Sequence, residues 1–270
     1  MKKRSGFTLI EIAIFLAVTG LLFVGIAVGT GNSVSQQRFT DSVKNFADFL
    51  RNVYSEVSNP QSKGDGRGNK AIYGRMITFG ENYALNGELN EDDKIFVYDV
   101  IGEANSEFSG STFAALKSVG ASPVIEDGDS IKQAGLVESY SPKWGAKVEI
   151  YRYNNNNPTE ESNATVIIAR HPRTGLVYTL LSYSDKIQVN EAVVKAKSGQ
   201  DYKDLLLSDK LEGDKLVVDR FQVEPIDFCV SSDDNYNRRQ DIRIVSNARN
   251  ASGVKIIPLD DPDNKCSSDK

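Results

Sequence analysis

The sequence predicts an α+β protein in which a long N-terminal α-helix, half transmembrane and half amphipathic, packs on a β-rich head of antiparallel sheets. Three observations lead to this prediction. Residues 7–31 form an apolar run, residues 39–57 carry an apolar stripe, and the segments after residue 70 are rich in β-branched and aromatic side chains. We therefore divide the 270 residues into a basic leader (1–6), a membrane half-helix (7–31), an amphipathic half-helix (32–58) and a head (59–270).

The apolar run determines where the chain resides. Its only charged residue is Glu11, and it is long enough to span a bilayer as a helix. The basic residues before it favour the cytoplasmic side, which places the rest of the chain outside the cytoplasm. A cleavable secretory signal would need a cleavage site near residues 27–29. A plain anchor would leave Glu11 unexplained, because a carboxylate in hydrocarbon costs roughly 2.5 kcal/mol or more.

Residues 6–11 (GFTLIE), after a short basic leader and before an apolar helix, resemble the class III signal of type IV pilins. The resemblance implies that a prepilin peptidase cleaves between Gly6 and Phe7 and that the new amino group of Phe7 becomes methylated. It also implies that the apolar helix is retained, first as an inner-membrane anchor and later as filament core. In such a filament, Glu11 of one subunit pairs with the Phe7 amine of a neighbour, and this pairing fixes the axial register.

The second half of the helix is predicted from a stripe of apolar residues spaced three and four apart. Asn59 and Pro60 end it. The stripe is typical of a helix docked on a folded domain, and its members are Phe39, Val43, Phe46, Leu50, Val53 and Val57.

The head is predicted to be mainly β-structure. The turn at 171–175 joins one antiparallel hairpin, and a second hairpin runs from 241–246 to 253–256. Residues 154–158 read as a surface loop, and residues 104–141 as an inserted subregion. Short helices are expected at 111–117 and 202–210, and strands at 71–79, 94–101, 147–153, 164–170, 176–183, 215–223 and 241–246.

Composition speaks against an enzyme and against a general nucleic-acid binder. There are 32 basic and 37 acidic residues, with a net charge of −5, whereas phosphate neutralisation needs a basic face. Two cysteines and one histidine exclude a Cys/His zinc site, and Ser-His-Asp catalysis would depend on His171, which reads better as a turn residue. Acidic loops at 91–93, 126–129 and 260–263 lack EF-hand spacing. We expect no metal and no cofactor.

Cys229 and Cys266 lie in the part of the chain predicted to be outside the cytoplasm, where disulfides persist. The residues alone leave two unpaired thiols open, and the resemblance to pilins favours a disulfide. Between the cysteines lies a basic stretch that makes DNA a candidate ligand, since similar tips bind DNA in some competence systems. Its acidic neighbours favour an ordinary solvated face, and its basic residues are Arg238, Arg239, Arg243, Arg249 and Lys255.

Three functions fit these features. The first is a major or minor subunit of a surface type IV pilus serving adhesion or twitching motility. The second is a pseudopilin of a type II secretion or DNA-uptake filament, and the third is an anchored enzyme with a coincidental signal. The resemblance implies other pilin subunits, a prepilin peptidase, the assembly platform and the inner membrane as partners.

Overall fold

The computed structural model describes residues 8–59, 70–79, 94–103, 124–127, 130–133, 136–154, 157–161, 164–182, 225–232, 238–262 and 264–266. One α-helix, α1, spans Leu9–Ser58. The strands that follow it are β1 (Lys70–Phe79), β2 (Ile95–Glu103), β3 (Val124–Asp127), β4 (Ser130–Gln133), β5 (Leu136–Tyr140), β6 (Lys147–Asn154), β7 (Asn157–Glu161), β8 (Ala164–Arg170), β9 (Val177–Ser182), β10 (Ile226–Ser231), β11 (Arg239–Ile244) and β12 (Val254–Ile257).

These strands form two five-stranded sheets and one small hairpin. The first sheet has the order β5-β2-β1-β8-β9, the second has the order β12-β11-β10-β6-β7, and β3 pairs with β4. Every pairing is antiparallel. β8 lies between β1 and β9, and its first six residues are buried. Its sequence, ATVIIAR, is a continuous apolar run, as expected of a strand that is covered on both faces.

The chain divides into two compact units, Met1–Asp41 and Ser42–Lys270. Helix α1 contributes to both. The first unit contains the apolar segment Leu9–Ile26, whose 18 residues are long and apolar enough to cross a membrane and have no buried residue. The second unit contains the last turns of α1 and all the described strands, and below we use the word head for this unit, with the helix turns included.

The core of the head forms around the last turns of α1. An aromatic cluster connects the helix to both sheets, because Phe46 and Phe49 contact Tyr140 of β5 and Phe46 also meets Phe228 of β10 edge-on. Edge-to-face ring pairs add to the burial of apolar area. The buried helix residues of the head are Ser42, Val43, Phe46, Ala47, Phe49, Leu50, Val53, Tyr54 and Val57.

Polar groups also join the helix to each sheet. Arg51 Nη2 donates to the Val254 carbonyl of β12 at 3.1 Å. Tyr54 Oη is hydrogen bonded to Thr179 Oγ1 of β9, and burial raises the pKa of Tyr54. Arg75 of β1 pairs with Glu56 of the helix at 3.1 Å. The helix is therefore fixed in rotation as well as buried.

A turn before β6 is hydrogen bonded to the helix. Trp144 has a φ of 62°, a left-handed backbone that a bulky residue seldom adopts. Its indole is 60% exposed. Lys143 immediately precedes Trp144, and the Ser42 hydroxyl of α1 donates a hydrogen bond to the Lys143 carbonyl. This bond holds the turn in place.

The α+β prediction is confirmed, including the long N-terminal helix and the antiparallel head. The 171–175 turn joins β8 and β9, and the 241–256 hairpin corresponds to β11 and β12. Five members of the apolar stripe, from Val43 to Val57, are buried in the head.

The prediction of a loop at 154–158 is wrong, because Tyr153 and Asn154 of β6 pair with Pro158 and Asn157 of β7. Pro158 is tolerated because β7 is an edge strand of its sheet. β5, inside the supposed insertion, is part of the first sheet. β10 was not predicted. Its sequence, IDFCVS, places a charged aspartate within a strand that is buried along its whole length, and a buried strand is expected to be apolar. The strand predicted at 215–223 and the helices at 111–117 and 202–210 lie outside the described residues.

Candidate functional site: the N-terminal segment

The helix begins with a local hydrogen-bonded cap. Thr8 immediately precedes Leu9, the first helical residue, and its backbone N–H donates to Glu11 Oε2 at 2.8 Å. Its hydroxyl donates to the same oxygen at 2.9 Å, and the Glu11 N–H donates back to Thr8 Oγ1 at 3.3 Å. This reciprocal arrangement is a capping box, which satisfies N–H groups at the helix start that have no partner within the helix.

The capping box changes the interpretation of Glu11. From the sequence, its carboxylate was expected to be isolated in the apolar run, with the Phe7 amine of a neighbouring subunit as its partner. The Thr-x-x-Glu spacing of Thr8 and Glu11 was the available signal for a local partner. Because Thr8 supplies two donors, the carboxylate already has hydrogen bonds in the single chain. Gly6 and Phe7, the proposed cleavage residues, lie outside the described residues.

The segment from Leu9 to Ile26 exposes its large apolar side chains. Phe15 is 69% exposed, as is Phe23. Exposed apolar patches of this extent are typical of membrane or protein contacts. The other exposed members of the segment are Leu9, Ile10, Ile12, Ile14, Leu16, Val18, Leu21, Leu22, Val24 and Ile26.

Glycines interrupt this apolar surface. A Cβ added at Gly20, Gly25 or Gly31 would meet nothing within 4 Å. Small residues let a second helix approach closely in a membrane or a bundle. The glycines therefore leave room on the helix that no described part of the chain fills.

His171 has a structural environment. Its side chain is buried, and Nδ1 accepts hydrogen bonds from the backbone N–H groups of Arg173 and Thr174 at 3.0 and 3.2 Å. The backbone N–H of His171 donates to the Leu176 carbonyl at 2.8 Å. The imidazole thus closes the β8–β9 turn.

The basic stretch does not present all its cations to solvent. Arg243 lies between the buried carboxylates of Asp227 and Asp241, with Nε donating to Asp227. Arg249 lies over the ring of Tyr178, 5.7 Å from its centroid. Lys255 is exposed on β12. The basic residues are therefore divided between a buried cluster, a ring contact and the surface.

Cys229 of β10 and Cys266 form a disulfide in the structure. It ties the C-terminal residues to the second sheet and closes a loop with a sequence separation of 37. Among the described residues, no group of three or more His, Cys, Asp or Glu side chains is placed to hold a metal ion.

Comparison with known families gives one result for the N-terminal segment. Residues 1–27 match the prokaryotic N-terminal methylation motif. No curated protein and no solved structure matches the chain. The matched residues include the basic leader, GFTLIE and most of the exposed apolar helix. The chain therefore carries, over residues 1–27, the class III signal peptide of type IV pilins and prepilins.

Proposed function

We propose that this chain is a structural subunit of a type IV pilus, which polymerises through α1 into a surface filament for adhesion or twitching motility. The observation that carries the proposal is the order of three features along the chain. The methylation motif covers residues 1–27, the helix within it exposes its apolar side chains, and the same helix is buried in the head from Ser42 onward. A subunit that leaves a membrane for a filament needs this division of surfaces.

In this proposal the parts of the chain act in sequence. Residues 1–6 are removed by a prepilin peptidase that cleaves between Gly6 and Phe7, and the Phe7 amine is methylated. Residues 7–31 anchor the subunit in the inner membrane and then join the filament core. Residues 32–58 carry the β-rich part of the chain, residues 59–270, to the surface. The partners are other pilin subunits and the pilus assembly platform.

Glu11 has two roles in this proposal. Both hydrogen bonds from Thr8 reach Oε2, which caps the helix and lowers the cost of holding the carboxylate in the membrane. Oε1 is the atom that we expect to accept from the Phe7 amine of the next subunit. Such a pair is a means of fixing register, since misplacing one partner leaves a buried charge unpaired.

Processing is tested by the mass of the mature N-terminus. We expect it to begin at methylated Phe7, and Gly6→Leu should leave the precursor intact in the membrane. A Met1 terminus on filament protein would contradict the proposal. Gly31→Leu is the matched control, since it places the same residue outside the motif.

Assembly is tested with three variants that separate capping from charge. Glu11→Gln keeps a capping side chain but removes the charge, Thr8→Val removes the capping hydroxyl but keeps the charge, and Glu11→Val removes both. All three should insert and be processed, whereas sheared surface filaments should fall steeply for the two Glu11 variants and much less for Thr8→Val. Wild-type filament yield from Glu11→Val as the only subunit would refute the ion pair.

Electron microscopy of labelled filaments decides where the polymer acts. Long surface filaments are expected for a pilus subunit. Short filaments seen only when a secretion system or DNA-uptake machine is produced would assign the chain to the pseudopilins instead.

A further inference from the structure

A buried charged cluster lies on the outer face of the second sheet. Asp227 is the Cα partner of Arg243, and Cys229 is the Cα partner of Asp241, so these four side chains share one face of β10 and β11. The opposite face carries Phe228, which packs against Phe46 of the helix. The cluster therefore faces away from the main core. Asp227 and Asp241 are nevertheless only 1% and 0% exposed.

The cluster has more negative charge than its described cation can satisfy. Arg243 Nε donates to Asp227 Oδ1, and Arg243 Nη2 lies 3.6 Å from Asp241 Oδ2. Asp227 Oδ2 and Asp241 Oδ1 are buried and have no hydrogen-bond partner among the described residues. A buried carboxylate oxygen without a donor is costly. One proton held between the two side chains would supply a donor and remove one negative charge.

No Lys or Arg among the described residues is fully buried beside the two aspartates. Arg239 of β11 lies on the same face as Asp241 and is half-buried, and its buried Nε has no hydrogen-bond partner among the described residues. Glu149 of β6 is the Cα partner of Cys229 and accepts from the Tyr151 hydroxyl at 3.3 Å. Lys255 of β12 is the Cα partner of Arg243, but its side chain is exposed. The remaining charged groups on this face of β6, β10, β11 and β12 and among the described residues after β12 are Lys147, Asp260, Asp261 and Lys265.

The cluster is joined to the end of the described chain. The backbone N–H of Lys265 donates to Asp241 Oδ2 at 3.2 Å. Cys266, the next residue, forms the disulfide with Cys229, directly opposite Asp241. Asn264 completes the turn by donating to the Pro258 carbonyl and accepting from the Cys266 N–H, both at 3.0 Å. We call residues 264–266 the C-terminal clasp.

We propose that Asp227 and Asp241 hold one proton between them and that this proton keeps the C-terminal clasp closed on the second sheet. When the proton leaves, two buried carboxylates face one guanidinium. Their repulsion is relieved by water entering beneath the clasp, so the clasp loosens while the disulfide keeps it attached. The second sheet thereby carries a pH-sensitive surface element, and this inference does not depend on the proposed function.

The direction of the effect follows from the charges. Burial raises the pKa of Asp241 to about 7, and the nearby Asp227 charge acts in the same direction. The folded protein therefore retains a proton that the unfolded chain has released. The resulting stabilisation is fully present below the ordinary aspartate pKa of about 4 and is lost as the pH rises through about 7.

Amide hydrogen exchange on the full-length protein in detergent micelles tests the clasp. We expect the protection factors of the Lys265 and Cys266 amides, corrected for intrinsic exchange, to fall about tenfold between about pH 5.5 and about pH 8.5. The amides of Ile77 and Val97, paired across β1 and β2 of the other sheet, serve as internal controls and should change little. Equal protection of the clasp at both pH values would overturn the proposal.

Asp241→Asn provides the matched variant, since an amide has the same shape and holds a permanent donor towards Asp227. Its clasp should stay protected at both pH values, and a wild-type pH response in this variant would also overturn the proposal. Infrared spectroscopy of the unmodified protein does not depend on variant folding. A protonated carboxyl band should persist at about pH 5.5 and vanish at about pH 8.5, and its absence at the lower pH would exclude the shared proton.

Discussion

The two parts of helix α1 differ in where their apolar side chains find cover. Between Leu9 and Ile26 no residue is buried, whereas from Ser42 onward most apolar side chains are buried within the head. The early part is apolar on every side, and the later part has one apolar stripe with charged residues on its other faces. A helix that is apolar all round requires an external apolar environment, whereas a stripe requires only one surface. Sequence pattern thus distinguishes a helix segment that needs a membrane or other subunits from one served by its own chain.

The largest expected contrast comes from truncating one phenylalanine in each part. Phe46 is fully buried against Phe49, Tyr140 and Phe228. Phe46→Ala should lower the free energy of unfolding of the head by about 3–5 kcal/mol, through lost burial and the cavity left behind. Phe15→Ala, the control in the exposed part, should change head stability by less than about 0.5 kcal/mol. Denaturant unfolding of the detergent-solubilised chain, followed by near-UV circular dichroism, measures both.

A similar loss for Phe15→Ala would show that the early part of the helix is also covered by the head. That result would remove the distinction between the two parts.

The disulfide adds a second stabilising element that the early helix lacks. Replacing Cys229 and Cys266 together by Ser should lower head stability by about 2–4 kcal/mol, mainly because the unfolded chain gains freedom over the closed loop. Membrane insertion and leader cleavage should be unchanged, because the proposed function assigns both to residues 1–31. Unfolding curves with and without reductant provide the check, and the double variant should be insensitive to reductant. Unchanged head stability would mean that the disulfide contributes nothing to the stability of the fold.

The sequence was sufficient for the features governed by periodicity. The helix, its apolar stripe from Val43 to Val57 and the β8–β9 hairpin each repeat a local pattern over several residues. β10 was missed because Asp227 is buried through a pairing with Arg243, and that pairing exists only once β10 and β11 are adjacent. β7 was missed because Asn157 and Pro158 favour a loop unless the strand lies at the edge of a sheet, and edge position is a property of the assembled sheet.

The site was only partly predictable for the same reason. The register of Gly6, Phe7 and Glu11 could be read directly from the sequence. The spacing of Thr8 and Glu11 that forms the capping box was also present in the sequence. Because Glu11 was interpreted as an isolated charge, Thr8 was not considered as its hydrogen-bond partner. The shared face of Asp227 and Asp241 could not be read, since the two residues lie on different strands and meet through strand register.

Glycine substitutions compare the free space around the backbone in the head and in the early part of α1. Gly74 of β1 lies against β8, and an added Cβ would stand 2.4 Å from the Ile168 carbonyl oxygen. Because a backbone atom cannot move aside easily, Gly74→Ala should cost about 1–3 kcal/mol of head stability. Gly25→Ala meets no atom within 4 Å and should leave head stability unchanged. Thermal unfolding of the two variants in parallel measures the difference.

In filaments the outcome for Gly25→Ala should reverse. If neighbouring helices pack closely at this position, the added methyl group should reduce filament yield although the single chain tolerates it. Wild-type filament yield would show that no helix approaches closely there.

The smallest expected effect concerns the polar join between the helix and the first sheet. Tyr54 is fully buried, and its hydroxyl is hydrogen bonded to Thr179 Oγ1. Tyr54→Phe keeps the ring and its packing and removes only this bond, while Thr179 retains its 3.4 Å contact to the Ala248 carbonyl. We expect a loss of about 1 kcal/mol, measured by denaturant unfolding. Thr179→Val tests the same bond from the β9 side but also leaves the Tyr54 hydroxyl buried without its partner, so it should cost more than Tyr54→Phe. If Tyr54→Phe were neutral, this hydrogen bond would add nothing to the apolar burial of the later part of α1, and at this position the two parts of the helix would differ only in which surface covers them.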